Sequence, residues 1–242
     1  MKNNTINFLK RLKKIIPKHI KPKFKNDKDL LSWNQEQGII SSKSILKKNK
    51  IMKIKKTFKK SGIKALYTKC SFKNYIIKHK GHERVLNAAK KYAKNFNNHV
   101  SSFIFSGNPG TGKNHLASAI GNYLILKGKS VLIVTVADLM SNMKETFNGS
   151  SNLTEENLLN KLSTVDLLMI DEIGMQTESK YEKVVINQIV DRRSSSKRST
   201  GMLSNLNHNG MKTLLGERVI DRMRIGKSLW LNFEWKSYRK YI

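Results

Sequence analysis

The sequence predicts an α/β fold: a parallel sheet flanked by helices, behind a small all-α N-terminal region. Three observations lead there. From about residue 84 onward, helix-period segments alternate with short apolar strands, the pattern of a parallel sheet with helices covering both faces. A glycine-rich loop, Gly107-Asn108-Pro109-Gly110-Thr111-Gly112-Lys113, lies where one such strand passes into a helix. A further apolar run, Leu167-Leu168-Met169-Ile170, ends on the acidic pair Asp171-Glu172.

At the N-terminus, Ile6, Leu9, Leu12 and Ile15/Ile16 recur at three- to four-residue steps with lysines between them, and Pro17 ends that helix. A second short helix over 29–37 exposes Leu30, Leu31 and Trp33. Residues 42–60 are lysine-heavy, with Ile45, Leu46, Ile51, Met52 and Ile54 scattered among them, and read as a basic helix. The pattern breaks at Ser61-Gly62. The expected organisation is a helical domain over 1–60, a linker over 61–80 and an α/β domain over 81–242.

Within the α/β part, helix signals cover 82–95 and an apolar strand covers 102–105. The helix behind the glycine loop spans 113–127, with Leu116, Ile120, Tyr123 and Leu124 on one face and Gly128 as its stop. A β-branched strand of the buried type follows at 131–136, then a helix at 137–147. Thr154 caps another helix and places Glu155 and Glu156 in its first turn. The strand at 167–170 leads to a helix at 178–193 with Val184, Val185, Ile189 and Val190 inside, and further strands fall at 202–204 and 229–233.

The chain has 242 residues and a formal charge of +30, with a pI near 10.2. Residues 1–70 hold 21 Lys and Arg against 3 Asp and Glu, a surplus of 18; the remainder holds 26 against 14, a surplus of 12. Such a chain attracts polyanions, above all nucleic acid, with no sequence preference implied. A genome biased toward Lys, Asn and Ile produces the same surplus without selection for binding. No apolar run reaches the roughly 20 residues of a membrane-spanning helix. No apolar signal-peptide segment follows the basic N-terminus. Cys70 is the single cysteine and allows no internal disulfide. A cytoplasmic protein is expected.

The loop carries the most specific chemistry. Its glycines let the backbone curl so that N–H groups point at phosphate oxygens, and the helix N-terminus behind it adds a positive dipole end. Lys113 supplies a point charge toward the β- and γ-phosphates of ATP. The spacing does not fit a dinucleotide fingerprint. This pattern ordinarily carries Ser or Thr after the lysine, to hold Mg²⁺. Here the position is Asn114, whose amide oxygen ligates a hard cation with different geometry and strength. Slow hydrolysis follows, with the nucleotide serving as a switch more than as fuel. Asp171, about 60 residues after the loop at the C-terminal end of its strand, is placed to hold Mg²⁺, and Glu172 to polarise the attacking water.

These residues resemble an AAA+ ATPase and, within that class, the DnaC family of bacterial replicative helicase loaders. The stretches that carry the likeness are Gly107 through Leu116, Asp166 through Gly174, Tyr181-Glu182-Lys183-Val184, Asp191 through Arg198 and Gly216 through Arg224, together with Pro17-Lys18-His19-Ile20-Lys21-Pro22 and Leu30-Leu31-Ser32-Trp33. The likeness covers nearly the whole chain, and the Asn after the loop lysine is a feature of that family. It implies ATP and Mg²⁺ as cofactors, bound by residues 107–113 with Asn114 and His115. Asn205 then matches the residue that orients water against the γ-phosphate. Arg222 matches an arginine finger reaching the ATP of a neighbouring subunit, with Arg218 second, since the two share a helix face.

The resemblance also implies that the N-terminal region grips the hexameric replicative helicase, with Leu30, Leu31 and Trp33 as anchors. A self-contained small core and a basic helix lying on a membrane surface are the competing readings of those residues. Lys144 and Phe147 sit where related initiators contact single-stranded DNA; Met140, Met143 and Phe147 read equally as core at helical spacing. Arg192, Arg193, Lys197 and Arg198 are either electrostatic partners of DNA or a solvated loop. The implied function is ATP-dependent loading of the helicase onto single-stranded DNA at origins and restart sites, with self-association through the AAA+ domains and no membrane partner. A transposition-helper ATPase coating duplex DNA is the runner-up. A small-molecule P-loop kinase is the third reading, disfavoured by the absence of an acceptor site.

Overall fold

The computed structural model describes residues 61–64, 67–96, 100–147, 154–175 and 180–238, with separate positions between 28 and 57. The chain divides into two compact units, Met1–Met52 and Lys53–Ile242. In the first, all described positions from Lys28 to Met52 are helical. Trp33 is half-buried, while Ile39, Ile45, Leu46 and Met52 are exposed. Leu30 and Leu31 lie outside the described residues.

The second unit runs α1 (Lys80–Lys94), β1 (Phe103–Gly107), α2 (Lys113–Leu126), β2 (Val131–Thr135), α3 (Val136–Phe147), α4 (Glu155–Thr164), β3 (Leu167–Ile173), α5 (Lys180–Ser195), β4 (Ser199–Ser204), α6 (His208–Leu215), α7 (Glu217–Met223) and β5 (Leu229–Phe233). The five strands form one sheet in the order β2-β3-β4-β1-β5, every pairing parallel. The expected α/β fold is therefore present, helices on both faces included.

Alternation along each strand sorts the core into two layers. Leu168 and Ile170 of β3 and Ile104 of β1 face α3 to α7, where Leu139, Met143, Leu159, Ile186, Ile189 and Val219 meet them. Leu167 and Met169 of β3 and Phe103 and Phe105 of β1 face α1 and α2, packing on Leu86, Ala89, Leu116 and Ile120. Full burial of each such side chain contributes about 1.5–3 kcal/mol, which is why these short strands hold a fixed register. Thr154 caps α4 as expected, its Oγ1 accepting from the Asn157 N–H at 3.2 Å.

Two features depart from the sequence reading. β3 does not stop at Ile170. A register shift between Ile170 and Ile173 lets it bulge past Asp171 and Glu172 and pair again, Ile173 with Ser204. Several described residues of 61–64 and 67–79, the stretch read as a linker, contact the α/β unit. The Ser61 carbonyl accepts from Ile133 N at 2.7 Å along the outer side of β2, occupying part of an otherwise open strand edge. Asn122 of α2 donates to the carbonyls of Tyr67, Thr68 and Cys70, and Phe72 packs on Tyr123.

Candidate nucleotide-binding site

β1 delivers the chain into residues 107–112, and α2 begins at Lys113. Gly107 (φ 121°) and Gly112 (φ 96°) both sit in left-handed conformations. A Cβ at Gly107 would lie 2.4 Å from the Phe233 carbonyl oxygen, and one at Gly112 would lie 2.9 Å from the Tyr75 ring. Only glycine fits either position. Lys113 is buried and donates from Nζ to the carbonyls of Gly107 at 2.6 Å and Asn108 at 2.7 Å. Thr111 Oγ1 also donates to Asn108 O at 2.7 Å. The lysine thus sits folded onto its own loop, held by carbonyl dipoles that a phosphate would outcompete.

Asn114 and Asp171 meet across the loop: Asn114 Nδ2 donates to Asp171 Oδ2 at 2.7 Å. Asp171 Oδ1 accepts the Glu172 N–H at 2.8 Å. Burial pushes the Asp171 carboxyl above its ordinary pKa, and the neighbouring Glu172 charge adds to this, against the pull of the two hydrogen bonds. Glu172 has φ 63°. A non-glycine residue there costs about 1–2 kcal/mol, and the distortion leaves its carboxylate exposed. Asn205 follows β4 directly, exposed, with Nδ2 on Met175 Sδ at 3.4 Å. Ser204 Oγ donates to Ile173 O at 2.7 Å and ties the ends of β3 and β4 together.

Lys113, Asn114 and Asp171 therefore converge at the C-terminal edge of the sheet, with Glu172 next in the chain and Asn205 at the end of the neighbouring strand. His115, grouped with the loop by sequence, is engaged elsewhere. Its Nε2 lies 3.2 Å from Ser71 O and 3.1 Å from Asn74 Oδ1, and its ring packs edge-on against Tyr75. Tyr75 was not singled out by the sequence; it is buried over Gly112 with its hydroxyl lacking a hydrogen-bond partner.

Arg222 and Arg218 lie apart from the loop, on α7. Both are held by Asp191 of α5: Arg222 Nε is 2.5 Å from Oδ1 and Arg218 donates to Oδ2 at 2.7 Å. Asp191 carried one sequence signal, an acid directly before two arginines, but its partners lie about 30 residues away. Lys144 is exposed in the last turn of α3. Met143 of the same helix is fully buried and Met140 packs against the core, as core spacing implies. Phe147 ends that helix; its side chain lies outside the described residues.

The basic run that ends α5 and follows it needs correction. Arg193 is fully buried and donates to the carbonyls of Leu162, Asp166 and Ser199 and to Thr200 Oγ1, so it is neither a DNA contact nor a solvated loop residue. Arg192 forms a bidentate pair with Glu156, and Arg198 pairs with Asp166 at 2.7 Å. Lys197 is exposed.

Among the described residues, no cluster of His, Cys, Asp and Glu could by itself hold a metal, and no helix is long and apolar enough to cross a membrane.

The profile of the IstB-like ATP binding protein family matches residues 45–240. A protein of Buchnera aphidicola subsp. Baizongia pistaciae named replicative helicase loader DnaC is 73% identical over 242 residues, covering 100% of this chain and 98% of that one. The protein of the same name from Escherichia coli K12 is 58% identical over 239 residues, covering 99% and 97%. Among solved structures, that of the DnaC helicase loader superposes with a TM-score of 0.61 at 22% identity, covering 70% of this chain and 99% of the other. AMPPCP-bound DnaA from Aquifex aeolicus gives 0.56 at 21%, covering 67% and 50%. These last two establish the fold, a parallel sheet flanked by helices. From the phosphate loop, the sheet order and these full-length likenesses, the chain belongs to the IstB-like ATP-binding family and, within it, to the DnaC replicative helicase loaders.

Proposed function

We propose that this protein loads the replicative DNA helicase onto single-stranded DNA, gated by ATP at residues 107–114. One observation carries the loader reading over that of a transposition helper. Identity of 73% to a named loader runs through the whole chain, including residues 1–44 that precede the ATP-binding family match. The likeness is therefore to a complete loader, not to an ATPase core alone.

ATP binding begins with exchange at Lys113. Its ammonium leaves the Gly107 and Asn108 carbonyls for phosphate oxygens, a charge-assisted replacement for neutral hydrogen bonds. Asn114 now turns its amide nitrogen to the Asp171 carboxylate; with the carboxamide turned over, its oxygen and that carboxylate would hold Mg²⁺. When bound, the ion would neutralise charge on the phosphates. Glu172 serves as the base toward water and Asn205 as the group that orients it. Arg222 acts on the ATP of a neighbouring copy, and its ion pair with Asp191 of α5 holds it until that neighbour arrives. Hydrolysis needing a second chain's arginine is slow in the lone protein, which suits a switch. Trp33, with Leu30 and Leu31, anchors the helicase; Lys144 and Phe147 meet the single strand.

The test is reconstitution with the hexameric replicative helicase, ATP and single-stranded DNA. The full chain should bind the helicase and deliver it to DNA, and Trp33→Ala should weaken that binding while leaving nucleotide affinity intact. Arg222→Ala should lower hydrolysis in the assembled complex by about tenfold or more. Failure of the full chain to bind helicase would refute the loader reading.

A further inference from the structure

The carbonyls of the phosphate loop are tied from two sources, one inside the loop and one outside it. The Gly107 and Asn108 oxygens accept from Lys113. Those of Gly110 and Thr111 accept from a different source, the segment after β5. The Tyr238 N–H donates to Gly110 O at 2.8 Å, and the indole Nε1–H of Trp235 donates to Thr111 O at 3.0 Å. The same segment receives Asn108. Its N–H donates to Phe233 O at 2.8 Å, and its Nδ2 to Glu234 O and Trp235 O at 3.0 and 3.3 Å. Trp235 is itself fixed, packed edge-on against His79 and His82 with ring centroids 5.1 and 4.5 Å away, and against Phe233 at 5.1 Å.

A planar trans peptide carries its C=O and the following N–H on opposite sides. Turning the Gly110 oxygen toward Tyr238 turns the Thr111 N–H the other way. Turning the Thr111 oxygen toward Trp235 does the same for the Gly112 N–H. These are amides that a phosphate loop presents to its ligand. Phosphate would displace Lys113 from its two carbonyls, but the Trp235 and Tyr238 bonds lie on the far side of the peptide planes and persist.

We propose that residues 234–238 form a latch that preorganises the phosphate loop for a polyphosphate nucleotide, with the Trp235 indole N–H and the Tyr238 backbone N–H as positioning groups. The latch rests on the ATP reading above and adds to it the source of the loop's rigidity. No sequence pattern flags it, because donors and acceptors lie more than 120 positions apart.

The test titrates the full chain and three variants with the fluorescent analogue mant-ATP and records melting with and without ATP. Trp235→Phe keeps a ring against His79, His82 and Phe233 and deletes the donor. Tyr238→Pro deletes the backbone donor. Tyr238→Ala keeps that donor and deletes the ring that Lys78 Nζ covers at 4.4 Å. Trp235→Phe and Tyr238→Pro should each raise Kd about 3- to 10-fold, the loss of one hydrogen bond's net contribution, and shrink the ATP-induced rise in Tm. The nucleotide-free Tm of Trp235→Phe should stay within about 2 °C of the parent. Tyr238→Ala should bind like the parent. Unchanged affinity in Trp235→Phe, or equal losses in Tyr238→Ala and Tyr238→Pro, overturns the latch. If the parent itself fails to bind mant-ATP, the nucleotide reading falls and the latch with it.

Discussion

Arg193 and Lys113 are both buried cations, at opposite edges of one sheet, and both are held by carbonyl oxygens. Arg193 sits where β3 and β4 begin. It donates to the carbonyls of Leu162, Asp166 and Ser199 and to the Thr200 hydroxyl, all from α4 and the strand starts. Around it the polar groups are mutually engaged: Asp166 accepts from Ser130 N, Ser130 Oγ and Arg198, and Ser199 Oγ accepts from Ser101 N. Burial, with the nearby Arg198 charge, pulls the Arg193 guanidinium down to about 9, still charged at neutral pH. Lys113 sits at the other edge and donates to its own loop. Asp171 beside it is raised by burial although Asn114 and the Glu172 N–H donate to it, and Glu172 is strained. One edge has spent its polar groups on permanent partners; the other keeps them exchangeable. The same chemistry is structural in the first place and functional in the second, and the difference lies in whether the acceptors can be given up.

The largest effect expected is on stability at the Arg193 edge. Arg193→Met leaves several buried carbonyls without donors. It should cost about 3 kcal/mol or more, a fall in Tm on the order of 10 °C for a chain of this size. Calorimetry with and without ATP measures it. The ATP-induced rise in Tm should survive wherever the variant folds. An unchanged Tm would erase the distinction between the edges.

The second effect inverts the pattern. Lys113→Met removes a cation that donates to two carbonyls of its own loop. Nucleotide affinity should fall roughly 10- to 100-fold, as expected for charge-assisted bonds to phosphate, while the nucleotide-free Tm moves by only about 2 °C. A mant-ATP titration beside a melt reads both. A large loss of Tm would make Lys113 as structural as Arg193.

The exchangeable edge was the more legible one in the sequence. Residues 107–113 announce themselves because every group that matters lies within seven positions, and Asp171 because it ends an apolar run. The helices and strands of the core followed from periodicity, since burial acts on neighbours three, four or two residues apart. Arg193 was misread as surface charge because nothing local distinguishes it from Arg192. Its carbonyl partners Leu162 and Ser199 are backbone groups, and every residue has those. Asp191 as holder of Arg218 and Arg222, the β3 bulge at Asp171, the contacts of Ser61, Tyr67, Thr68, Cys70 and Phe72 with β2 and α2, and the grip of Trp235 on Thr111 share one cause. Each depends on chain brought back from far away, and residue type does not encode such returns.

The smallest effect has the least intuitive sign. Asp171 is raised above its ordinary 3.8 chiefly by burial. Below both its unfolded and folded pKa values the group is neutral in each state and costs nothing. As pH rises through the window between them, the unfolded chain ionises first, so stability falls, and above the folded value the loss is complete. At neutral pH the Asp171 charge therefore destabilises the fold that needs it. Asp171→Asn should raise Tm at neutral pH, with the gain shrinking as pH drops toward 3.8, while hydrolysis is lost. Melts across a pH series, paired with an ATPase assay, check both halves. A lower Tm for Asp171→Asn at neutral pH would mean that its bonds to Asn114 and Glu172 outweigh desolvation, and the exchangeable edge would then resemble the permanent one.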